Sequence, residues 1–63
     1  MRHEEFAERV AGRLEAVAAA LDEEERRIGH NQVSTRANEM RVAAHMIRDA
    51  SESVTRAEER RSA

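Results

Sequence analysis

Large apolar residues fall at Phe6, Val10, Leu14, Val17, Leu21 and Ile28, and again at Val33, Met40, Ile47 and Val54, with charged residues filling most of the intervals. Steps of three, four and seven residues keep one stripe of a helix apolar. The spacing predicts a first helix from about Glu4 to Ile28 and a second from about Gln32 to Arg60. Written as heptads, Ala7, Leu14, Leu21 and Ile28 share one core position of the first helix, and His3, Val10, Val17 and Glu24 share the other. Ala11 and Ala18 widen that stripe. In the second helix Val33, Met40, Ile47 and Val54 fill one position, and Ala37, Ala44 and Ser51 fill the other, so large and small side chains alternate in layers.

Between the two segments stands Ile28-Gly29-His30-Asn31. Glycine just past the last apolar position is the usual left-handed helix stop, and Asn31 is a natural N-cap for the segment that follows. A tight turn near residues 29–31 makes the helices antiparallel neighbours; with Ser34 as the cap the turn is longer and the hairpin survives. After Val54 the pattern fades, with Glu58 at a core position, and Ser51, Ser53 and Thr55 around it lower the helix propensity. The last turn or two is expected to fray. Gly12 falls opposite the stripe, where it costs about 0.5–1 kcal/mol relative to alanine with no visible return.

Composition supports an all-α chain. There is no proline, glycine occurs only at Gly12 and Gly29, Phe6 is the sole Phe, Tyr or Trp, and Ala, Glu and Arg dominate. Charged residues make up 38% of the chain, but the 40% that are hydrophobic keep a sustained period, which favours folded helices over disorder. The 63 residues make one helical-hairpin domain, spanning 1–63, of a size at which a single core supplies only about 3–5 kcal/mol. Cysteine is absent, which removes disulfides and thiolate metal sites as supports. Oligomerisation is the remaining one.

The net charge of −2 is too small to select a partner by bulk attraction. It is unevenly placed, with −3 on the part before His30 and +1 on the part after it, so antiparallel helices would attract weakly. In the run from Asp22 to Arg27, Asp22 faces Arg26 and Glu23 faces Arg27 at the favourable i,i+4 order, a solvated last turn. No apolar run approaches the roughly 18 residues that span a bilayer, and the opening residues do not read as a signal peptide. A cytoplasmic location without membrane contact is the resulting expectation.

From Met40 to Ile47 the pattern becomes apolar nearly all round the helix, so this stretch has to meet something. Two helices cover only one stripe of each other, and a homodimer forming a four-helix bundle would close the rest. Its expected core is Val10, Leu14, Val17, Leu21, Met40, Ala44, Ile47 and Val54. In length, hairpin layout and layering of small and large residues the chain resembles the Rop family of plasmid copy-number regulators. The resemblance is one of architecture across the whole chain, with no shared motif. It implies a homodimeric hairpin bundle that binds RNA.

Val42 and Met46 lie one turn apart on the outward side of the second helix, and with His45 and Arg41 they form the candidate partner-binding patch. The same patch could serve self-assembly beyond the dimer, and two isolated apolar surface residues would also be ordinary. His45 and Asp49 make too small a ligand set for a metal site. The RNA-binding alternative rests on Arg2, Arg9 and Arg13 around Phe6, supplemented by Arg41 and Arg48, but Glu5 and Glu8 dilute the basic face, which argues against nucleic acid. No catalytic residues or cofactor are expected: the serines have no adjacent histidine base, and a small bundle lacks room for a pocket of roughly 300 Å³. The sequence therefore points to a non-enzymatic protein-binding module acting as a homo-oligomer, with an unidentified protein as partner.

Overall fold

A computed structural model describes residues 2–29 and 35–62. Two helices, α1 (His3–Arg27) and α2 (Thr35–Ser62), pack against each other as an antiparallel hairpin. The antiparallel sense is visible in its cross-helix bonds: His3 near the start of α1 meets Ser51, and Asp22 near its end meets Arg41.

The ends of α1 follow local chemistry. Arg2 is extended (φ −73°, ψ 151°) and gives no side-chain cap, but its carbonyl accepts the Phe6 N–H at 3.1 Å. Glu4 and Glu5 occupy the first turn and Arg26 and Arg27 the last, each sign suited to its end of the helix dipole. At the other end Gly29 adopts φ 87°, the left-handed stop expected of it. The Ile28 N–H reaches Glu24 O at 3.1 Å and the Gly29 N–H reaches Arg26 O at 3.2 Å. Beyond Gly29, the expected turn, the alternative caps Asn31 and Ser34, and the core position Val33 lie outside the described residues.

The second helix, expected to run to about Arg60, extends slightly further. α2 continues to Ser62, whose hydroxyl donates to the Glu58 carbonyl at 3.1 Å, and Arg60 and Arg61 complement the negative helix end. The ion pairs of the last α1 turn also differ from the expected i,i+4 set. Glu23 pairs with Arg26 at 3.0 Å and Glu24 with Arg27 at 2.7 Å, because Asp22 is drawn across to Arg41 on α2.

The seam between the helices is built of alanine. Ala11, Ala18, Ala37 and Ala44 are wholly buried and Ala7 nearly so, while among the described residues no larger side chain is fully enclosed. The seam on α1 thus lies one residue on from the heptad expected to centre on Val10 and Val17. Val17 is 47% exposed; Ala18 beside it is shut. Helices approach to a distance set by the side chains at the contact, and methyl groups permit the closest approach. Met40 and Ile47 are half-buried beside Ala37 and Ala44, and Val54 is 46% exposed. The hairpin is one layer thick, with principal extents of 55 × 20 × 9 Å, so it has no second layer to close over these residues.

Candidate interaction surfaces

With 3.6 residues per turn, the alanine seam divides the hairpin into two broad faces. On α1 the positions Glu4, Glu8, Glu15 and Asp22 fall to one side of Ala11 and Ala18; Val10, Leu14, Val17 and Leu21 fall to the other. On α2 the heptad series Arg41, Arg48 and Thr55 flanks the seam on the first side, and Met40, Ile47 and Val54 flank it on the second. Cross-helix bonds show that the two polar series share a face.

That polar face carries a ladder. Arg41 pairs with Asp22, and the Arg48 guanidinium donates from Nη2 to Glu8 Oε1 at 2.7 Å and from Nη1 to Glu15 Oε2 at 2.8 Å. The Thr55 hydroxyl donates to Glu4 Oε1 at 3.2 Å. These bonds from Arg48 hold the Glu8 and Glu15 carboxyls below their usual range, against a smaller opposing effect of desolvation, and the two carboxylates in turn raise Arg48. Glu4 is lowered chiefly by its own backbone hydrogen bond, then by Thr55. Every arginine in the ladder comes from α2 and every carboxylate from α1. The weak attraction read from the charge split thus has a geometry. Its sequence signal is a basic heptad position on one helix, Arg41 and Arg48, and an acidic one on the other, Glu8, Glu15 and Asp22.

At the open end of the hairpin His3 shares a 2.9 Å hydrogen bond through Nδ1 with Ser51. Its Nε2 lies 3.3 Å from Glu4 Oε1 and 3.4 Å from Glu58 Oε1, is buried, and completes no hydrogen bond. His3, expected at a core position of the first helix, is half-buried and bonds there to Ser51, an expected core position of the second.

The other broad face is apolar. It contains Val10, Leu14, Val17 and Leu21 from α1 and Met40, Ile47 and Val54 from α2, seven of the eight residues expected in an oligomer core. Ala44, the eighth, is already wholly buried in the seam. All seven others stay at least partly exposed.

The candidate partner patch lies elsewhere, on the edge of α2 turned away from α1. Val42 is 50% and Met46 63% exposed there. His45 sits beside them, 3.3 Å from Asp49, and both are exposed. Among the described residues no group of three or more His, Cys, Asp or Glu could hold a metal ion. Arg41 belongs with the ladder as much as with this patch, since its guanidinium is engaged by Asp22.

On the outer edge of α1, Phe6 is 60% exposed and Arg9 and Arg13 are exposed near it, while Arg2 pairs with Glu4 at 3.4 Å. Glu8 turns to Arg48 and so leaves this edge. Arg48 is itself occupied by two carboxylates, which separates it from Arg2, Arg9 and Arg13 as a basic surface. An open groove of about 640 Å³ runs along the polar face past Glu4, Glu8, His45, Arg48 and Thr55. It is larger than a bundle of this size was expected to offer, because a hairpin of one layer leaves the channel beside its seam uncovered.

No protein-family model, curated protein or solved structure matches the chain. Its functional reading rests on these surfaces. No described helix is long and apolar enough to cross a membrane.

Proposed function

We propose that the chain is a non-enzymatic protein-interaction module, a small regulator, inhibitor or assembly factor, that works as a homo-oligomer of helical hairpins. The observation that carries this reading is the contrast between the two broad faces. The polar face pairs Arg48 with Glu8 and Glu15, whereas the apolar face leaves Val17 and Val54 about half exposed. A contiguous apolar surface of this kind marks a contact with protein. The recognition mode is helix-in-groove addition, in which an apolar stripe is laid against another helix.

The outer edge of α2 is the part of the module that meets a different protein. Val42 and Met46 present a flexible thioether and a branched side chain one turn apart, with Arg41 and His45 at the border. The double variant Val42→Glu, Met46→Glu is the test, made by affinity capture from the native host alongside circular dichroism. Helicity should persist, because both positions are already solvent-facing, and the captured protein should be lost. Undiminished capture removes these two residues from the contact.

A further inference from the structure

We infer that the apolar face is the interface with a second copy of this chain, joined face to face, with the ion-pair ladder and the Val42/Met46 edge left on the outside of the pair. This rests on the protein-binding reading above and names the occupant of its apolar face.

Surface area points to a second hairpin. The chain exposes 5177 Å², whereas a compact monomer of its 7.2 kDa would expose about 4,100 Å². Two separate copies therefore expose well above the roughly 6,800 Å² of a compact protein of twice the mass. The difference, on the order of 3,500 Å², falls inside the range of about 2,000–5,000 Å² buried by obligate homodimers. A pair packed as compactly as an ordinary protein of that mass would bring the surface to an ordinary value.

The choice of face follows from what each would lose. Covering the polar face would strip water from Arg48, Glu8, Glu15, Arg41 and Asp22, and desolvated ion pairs repay that cost poorly. Covering the apolar face removes Val10, Leu14, Val17, Met40, Ile47 and Val54 from water and leaves the ladder wet. The net charge of −2 per chain opposes pairing only weakly. Large residues of both helices run along the face for similar lengths, so a copy of the hairpin matches it in extent.

The chain has no cysteine, so single replacements give one labelling site each. The experiment compares full-length Val17→Cys and Val42→Cys by sedimentation equilibrium and by the rate of thiol alkylation across a dilution series. Valine and cysteine are close in size, which keeps the hairpin intact. The expected result is a mass of twice 7.2 kDa in both variants. Alkylation at position 17 should be suppressed at high concentration and recover on dilution, while position 42 stays reactive throughout. A helical monomer with position 17 reactive at every concentration overturns the inference, and so does an oligomer in which position 42 is protected and position 17 is not. A monomer would also remove the homo-oligomeric part of the function proposed above, whereas protection at position 42 alone would leave that part standing and remove only the choice of face; the capture experiment on Val42 and Met46 tests partner binding independently of both.

Discussion

The two faces of the hairpin share one alanine seam and treat it in opposite ways. On the polar face, long side chains reach across: Arg48 alone contacts Glu8 and Glu15, and Arg41 contacts Asp22. On the apolar face, Val10, Leu14, Met40 and Ile47 flank the seam at half burial, and Val17 and Val54 remain about half exposed. Charged chains are long and directional enough to be satisfied by one neighbour, but apolar chains need surroundings on several sides before water is excluded. A structure one layer thick can therefore finish a polar face and cannot finish an apolar one.

The strongest way to break that comparison is to spoil the seam both faces share. Ala18→Leu forces a branched side chain into a fully closed position and should cost about 1–3 kcal/mol of unfolding free energy. Urea denaturation followed by circular dichroism measures it. A cost near zero would mean that the helices do not meet through these methyl groups.

A smaller effect, of opposite sign, tests whether the outer surface of α1 has any packing role. At Gly12 an added Cβ meets nothing within 4 Å, and the residue sits in mid-helix. Gly12→Ala should stabilise the chain by about 0.5–1 kcal/mol through helix propensity alone. Destabilisation in the same assay would point to a close approach at Gly12 in the assembled protein.

The finest test separates the polar face by pH. Glu8 and Glu15 have folded-state carboxyls held below the ordinary value of 4.5, so in the acid range the unfolded chain binds more protons than the folded one. Their contribution is fully present above that value and is lost as pH falls through the depressed one. The melting temperature should accordingly drop below about pH 4.5, and Arg48→Ala, which removes the chief cause of both shifts, should flatten the dependence. An equally steep acid profile in Arg48→Ala would assign the acid sensitivity to other carboxylates.

Helical class, two segments, the glycine stop at Gly29 and the antiparallel pairing could be read from spacing and composition, because each depends on residues close together in the chain. The 3.6-residue period states which side chains share a face, and a left-handed glycine needs only its own backbone. Which face of α1 turns inward depended on the other helix. By hydrophobicity Val17 outranks Ala18 as a seam residue, yet Ala18 is buried and Val17 is not, because only methyl groups on both helices allow the close approach. The same rotation brought Glu8, Glu15 and Asp22 beside Arg48 and Arg41 and drew Asp22 away from Arg26. Local periodicity determined the helices and their stop; tertiary contact decided their rotation about their own axes, since that angle is set by the shape and charge of a neighbour that no spacing within a single helix contains.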